Sequence, residues 1–201
     1  GRRAEIMVME RDAIRGVAGA CGGGFGSKLD GSFQPYGALA TWLLGRSARI
    51  CYSRSESMRA STKRHPSDIR LTVGCDETGR IRGFVFDGIF NTCAYARWGP
   101  TVANRVPIHA SGPYATKDYR ANSIAVHTNA PPAGAFRGFG VPQSAVAQEC
   151  AFDLLAEKLG MDRLAFRRLN ALKNGIPTVT GQVFNSGVGI DDCFAALEDS
   201  W

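Results

Sequence analysis

Two short glycine-framed aromatic segments stand far apart in this chain. Residues 22–28 read Gly-Gly-Gly-Phe-Gly-Ser-Lys, and residues 134–140 read Gly-Ala-Phe-Arg-Gly-Phe-Gly. Glycine allows backbone angles and close approaches that a Cβ forbids. A bare backbone also turns its N–H donors toward whatever lies against it. Two such loops call for a fold that gives them a packed neighbour, and they point to a buried polar or anionic ligand gripped by main chain. Phenylalanines at 25, 136 and 139 would wall that site against water, and Arg137 would supply a cationic fork.

Neither loop meets a nucleotide-binding pattern. A phosphate loop needs a glycine before its lysine and a serine or threonine after it, whereas Lys28 lies between Ser27 and Leu29. A dinucleotide fingerprint counted from Gly22 places its third glycine on Ser27. The net charge of +6 leaves room for a polyanion, but the basic residues are scattered. Their densest sets, Arg2-Arg3, Lys63-Arg64 and Arg167-Arg168, form no stripe interleaved with aromatics, which argues against nucleic acid. A mild positive excess also suits an anionic small molecule or an acidic partner.

With 201 residues, 44% of them hydrophobic, the chain can bury a real core. No apolar run approaches the roughly 20 residues that span a bilayer. Glu5, Glu10, Arg11 and Asp12 break up any secretory leader, so a cytoplasmic location is expected. The six cysteines form no C-x-x-C pair and are expected to be buried thiols. His65, His109 and His127 share no metal-site spacing and are expected to be satisfied structural groups.

The pattern predicts an α+β fold: mixed or antiparallel sheets with hairpins and packed helices. It predicts strands at 4–9 and 49–53 and a helix over 33–45. A hairpin runs through 69–75, a turn at 76–79, and 81–90. A strand follows at 123–127 and a helix at 141–159, its inner face carrying Ala147, Cys150, Ala151, Leu154, Leu155 and Leu159. Asp162 caps a helix to about 172, and Asp191 or Asp192 begins another. Phe90, Trp42 and Trp98 read as core. Starting at a strand and stopping inside a helix, the chain is expected to be part of a longer domain.

Taken together the loops resemble a specific family, the molybdenum-binding large subunit of the xanthine dehydrogenase and aldehyde oxidase (molybdenum hydroxylase) enzymes. The resemblance also rests on Lys63-Arg-His-Pro66, Asn91-Thr-Cys-Ala-Tyr95, Gly112-Pro-Tyr114, Thr128-Asn129, the continuation to Gln143, residues 155–161 and Arg168-Leu-Asn170. It covers residues 22–201 in the family's order; residues 1–21 fit less well. It implies that residues 1–201 form part of a molybdopterin-binding domain. It further implies that a pterin, not protein side chains, holds the molybdenum, so no direct metal ligand is expected here. Gly23, Gly24, Phe25 and Gly26 of one loop, with Phe136, Arg137 and Gly138 of the other, would bind that cofactor. Phe139 would stack on a flat substrate.

Arg105 falls where purine-oxidising members orient substrate with an arginine, and it also reads as a surface arginine in a turn. Leu29 would line the substrate site where those members carry a glutamate, which leaves aldehydes and other N-heterocycles open. Lys28 reads either as a solvated loop end or as a cofactor contact. The family's reaction hydroxylates an electron-poor carbon with oxygen from water. The general-base glutamate lies in a Gly-x-Gly-Glu stretch that these residues lack, so no catalytic residue is expected in them and the chain alone is expected to be inactive. Further expectations are the cytosine dinucleotide as one form of the pterin, and iron–sulfur clusters and FAD on other domains or subunits. The implied partners are the remainder of the large subunit, those redox subunits, and a small aromatic or aldehyde substrate. Two other readings remain: a glycine-loop nucleotide or nucleic-acid binding module, and a purely structural domain in which Arg137 pairs with a carboxylate.

Overall fold

The computed structural model describes residues 2–201, with side chains from residue 4 onward. Its centre is the hairpin. Strands β1 (Ser67–Cys75) and β2 (Ile81–Cys93) pair antiparallel, with Ser67 opposite Phe90. Asp76 closes the turn by accepting hydrogen bonds from the N–H groups of Thr78 and Arg80 and from the Thr78 hydroxyl. Helix α4 (Gly99–His109) then carries the chain across to β3 (Asp118–His127), which pairs parallel to β2. The sheet order is β1-β2-β3. The expected α+β class is observed, with a mixed sheet.

Phe84, Phe86 and Phe90 point from one face of β2 into the core and are fully buried. Gly88 stands between the last two, and a Cβ there would lie 2.8 Å from both rings, so its hydrogen is what lets them close over the strand. Helix α4 brings Val102, Ala103 and Val106 against that face. Helix α5 (Val141–Leu159) brings Phe152 and Ala156, and α6 (Arg163–Asn170) brings Phe166. Rings at 114, 152 and 166 meet edge to face, with centroids 5.0 and 5.5 Å apart. Buried Asn170 fastens α6 to the hairpin. Its Oδ1 accepts from Ile81 N–H, and its amide donates to the carbonyls of Gly79 and Phe166, each at 2.9 Å. A six-residue helix α7 (Ile190–Ala195) follows, beginning one residue before Asp191.

The inner face of α5 differs from expectation. Ser144, Gln148, Phe152 and Ala156, spaced by four, are buried, while Cys150, Leu154 and Leu159 are exposed. Small and polar residues can face inward because they are satisfied: the Ser144 hydroxyl donates to Val141 O and the Gln148 amide to Glu149. The two predicted early strands are not strands. Arg2–Met7 is a helix, α1, whose buried Ala4 and Met7 stand three apart, the helical rather than the strand period. Residues 49–53 form no strand among the described residues. Ser53 caps helix α3 (Arg54–Ala60) through a reciprocal box with Glu56.

Helix α2 (Gln34–Leu44) forms as expected, with Pro35 in its first turn and left-handed Gly45 at its end, yet none of its residues is buried. Trp42 is thus exposed, contrary to expectation, while Phe90 is buried and Trp98 packs against the core. The thiol expectation also fails: only Cys93 is buried, Cys75 is half-buried, and the other four are exposed, because they lie off the sheet's covered face. Among the histidines only His65 is buried, and its Nε2 has no partner among the described residues.

Candidate functional site

The fold sets the two glycine loops side by side. The N–H of Arg137 donates to Phe25 O at 2.9 Å, joining residues more than a hundred positions apart. Gly26, at φ 96°, lies so close to the second loop that a Cβ would sit 2.7 Å from Ala135 O and 2.8 Å from Phe136 Cα. That contact is backbone on backbone and cannot be relieved by turning a side chain. Phe25 itself holds a left-handed φ of 49° and its ring is exposed, with the Arg137 guanidinium 5.9 Å from its centroid.

Three groups to which the sequence alone assigns no role hold this pairing. Asp30 is buried; it accepts from Ala135 N–H at 3.2 Å and pairs with Arg97 at 3.5 Å. Arg64 grips the second loop from outside. It donates to Arg137 O at 2.7 Å and to Gln143 at 3.1 Å, and lies 4.4 Å from the centre of the Phe136 ring. Gln143 in turn donates to His65 O. The Lys63-Arg-His-Pro signal is present in the sequence, but only as part of a resemblance. Burial, and next the Arg64 charge, hold the His65 imidazole below its ordinary value, against an opposing pull from Asp30. Lys28 folds back over the first loop, donating to Gly23 O and to the Cys21 sulfur. That contact, ahead of the others, lowers the exposed Cys21 thiol's pKa.

The loops also leave donors free. Among the described residues no protein acceptor takes the N–H of Gly24, Phe25, Gly26, Phe136 or Gly138. Beside Gly24 there is open space. The Arg137 guanidinium is exposed and forms no ion pair with a carboxylate among the described residues, so the structural reading that paired it is not met. Gly23, at φ 132°, has the Phe25 ring against it, and Gly138, at φ 92°, packs on Pro142. The second loop ends at the N-terminus of the 19-residue α5, so the positive end of that helix dipole stands beside it. An electron-rich, oxygen-bearing ligand fits such a surface. No cluster of three metal-ligating side chains occurs among the described residues.

The three expected substrate residues are not equally placed. Leu29 is exposed and borders a cavity of about 430 Å³ that Arg97 and Trp98 also line. Trp98, which lines that cavity with Leu29, also meets the Phe139 ring edge-on at 5.9 Å. Arg105 stands on the solvent side of α4, in a helix rather than a turn, where its charge helps lower the pKa of His109. Its helix backs the second loop, since Val102 and Val106 press on Gly140. Among the described residues no ion pair links Arg105 to either loop.

A family model described as a molybdopterin cofactor-binding domain matches residues 2–171. The chain is 39% identical over 190 residues to the nicotinate dehydrogenase large molybdopterin subunit of Eubacterium barkeri, covering 94% of this chain and 45% of that one. It is 32% identical over 174 residues to the aldehyde oxidoreductase of Megalodesulfovibrio gigas, covering 87% of this chain and 19% of the relative. Its fold superposes on aldehyde oxidoreductase from Desulfovibrio gigas with a TM-score of 0.84 at 29% identity, over 90% of this chain and 20% of that one. The chain thus spans less than half the length of these relatives.

Proposed function

The chain belongs to the molybdopterin cofactor-binding domain family, in the branch of xanthine dehydrogenase and aldehyde oxidoreductase molybdenum subunits, and from that premise we propose that its paired glycine loops grip the oxygen-bearing face of the cofactor within a larger hydroxylase. The observation that carries this reading is the backbone seam between Phe25 and Arg137, with unspent N–H donors on both sides of it. A pterin-held molybdenum centre, when bound, supplies hydroxylation of an electron-poor carbon with oxygen from water and withdraws two electrons.

The chain's own residues bind and orient. Phe25 N–H, with Gly24 and Gly26 beside it, would donate to an oxygen-bearing group of the cofactor, and the absence of a side chain at Gly24 leaves room for it. Arg137 holds a positive charge at the same edge, where a fixed guanidinium stabilises developing negative charge without reorganising. Phe139, braced by Trp98, offers a flat apolar wall to an aromatic ring. Leu29 keeps the adjoining wall apolar and accepts no hydrogen bond, so a purine's ring N–H groups find no carboxylate at that position. This favours a simple N-heterocycle as substrate, in keeping with the nicotinate dehydrogenase likeness.

The general base, the iron–sulfur clusters, FAD and the rest of the pterin site, in its cytosine dinucleotide form, are assigned to the remainder of the subunit and to partner subunits. The chain by itself does not turn over. Among the described residues no helix is long and apolar enough to cross a membrane, and a cytoplasmic assembly fits the chemistry.

The test is metal and pterin analysis of the purified native assembly, followed by oxidation assays with nicotinate, xanthine and benzaldehyde. Stoichiometric molybdenum with pterin, and nicotinate-type turnover above the other two, supports the proposal. An active assembly without molybdenum contradicts it.

A further inference from the structure

Another cavity lies away from the glycine loops. A cleft of about 820 Å³ opens at the start of β2, between the 115–117 segment, α6 and the 173–181 loop. Five cationic side chains line it, Arg80, Arg82, Lys117, Arg168 and Lys173, and no aspartate or glutamate does. Two of the five are already neutralised: Arg82 pairs with Asp76 at 2.7 Å, and Arg168 pairs with Glu198 at 2.7 Å and Asp191 at 3.4 Å. Arg80, Lys117 and Lys173 make no ion pair among the described residues. Uncompensated like charges facing one cavity repel one another, and a bound anion removes that cost.

The floor is not a loose surface. Asn170, with all its bonds satisfied, fixes it, and Tyr119 is tied down by donating to Pro107 O. Burial pushes the Tyr119 hydroxyl up to about 12, so it stays neutral and adds no competing negative charge. Ile81, Leu169 and Ile176 give the floor an apolar patch. Lys117 precedes Asp118, which pairs with Gly83, so Lys117 lies beside Arg82 at one strand end.

We propose that this cleft binds a small phosphorylated molecule, its phosphoryl group held by Arg80, Lys117 and Lys173, and its apolar or aromatic body lying on Ile81, Leu169 and Ile176. Its size matches a nucleotide-scale ligand. A small ligand is favoured over an acidic protein segment because the free cations and the apolar floor share one cleft of about 820 Å³. The site is independent of the glycine loops.

The test is calorimetric titration of the native assembly with ADP, pyrophosphate, adenosine and a poly-glutamate peptide. Saturable ADP binding, weaker pyrophosphate binding and none with adenosine is the expected order. The double variant Lys117→Glu/Lys173→Glu, both exposed positions, should weaken ADP at least tenfold. Arg137→Ala, away from the cleft, should leave it unchanged. Pyrophosphate binding as tightly as ADP would restrict the ligand to free phosphates and overturn the role of the apolar floor. No saturable binding of either, binding unaffected by charge reversal, or binding of poly-glutamate alone would overturn the proposal.

Discussion

The two halves of this molecule are built differently. From β1 onward, the sheet and helices α4, α5 and α6 share a core of fully buried phenylalanines, and Asn170 stitches the hairpin to α6. Before β1, α2 and α3 bury none of their residues, and α2 leaves Tyr36, Trp42, Leu43 and Leu44 exposed. The candidate site is the seam where the second half's loop receives the first half's loop through Asp30, Arg64 and the Phe25–Arg137 backbone bond. A site placed there has one wall fixed by a dry core and one wall held mainly by polar contacts. Cofactor occupancy should therefore depend on the seam more than stability does.

The contrast fails first if core and N-terminal substitutions cost the same. Phe152→Ala removes a fully buried ring that meets two others and should destabilise the chain by about 3–5 kcal/mol in urea unfolding. Trp42→Ala, at an exposed position, should cost no more than about 0.5 kcal/mol in the same experiment. Equal costs would mean that α2 carries packing the structure does not show.

Next comes the seam itself. Arg137→Ala should leave stability within about 0.5 kcal/mol, because the side chain is exposed and forms no ion pair. It should nonetheless lower turnover of the native assembly by about 10²-fold, the scale for losing one fixed charge-stabilising group. A loss of stability without loss of turnover would return Arg137 to a structural role. Gly26→Ala forces a Cβ against Ala135 O at a positive φ and should cost about 1–3 kcal/mol, with molybdenum content falling alongside the melting temperature.

How much of the molecule is legible in its sequence follows the same division. Elements with a strong local signal match the structure: the alternating hairpin, Pro35 and Gly45 bounding α2, Asp162 capping α6, and the length of α5. Where neighbours decide the outcome, sequence and structure part. Residues 49–53 carry strand-forming side chains but find no partner strand among the described residues. The face of α5 is rotated because Ser144 and Gln148 satisfy their polar atoms inside. Helix α4 is hidden because Pro100 and Pro107 mask its stripe of Val102, Ala103 and Val106. The glycine loops are visible as a pair, since glycine and phenylalanine leave a compact mark. Asp30 and Arg64 do not show as clamps, because their partners stand 105 and 73 residues away.

Two smaller effects refine the picture at the seam. His65 is held below 6.5 chiefly by burial, so the native state binds fewer protons than the unfolded chain. Its contribution to stability is complete above pH 6.5, declines as pH falls below it, and stops declining under the folded value. His65→Asn should remove that part of the acid slope in thermal melts; an unchanged slope would place the titration elsewhere. Smallest of all, Cys21 should react with iodoacetamide a few-fold faster than Cys51 or Cys150 near neutral pH, and Lys28→Met should erase the difference.

The most direct measurement is the position of molybdenum, located by anomalous X-ray scattering at its absorption edge in crystals of the native assembly. The account predicts a single peak at the cleft between Phe25 and Arg137, with an oxygen ligand within hydrogen-bonding reach of the Phe25 N–H. A metal peak remote from both loops, or loops drawn apart with the Arg137 N–H to Phe25 O bond broken, would contradict it.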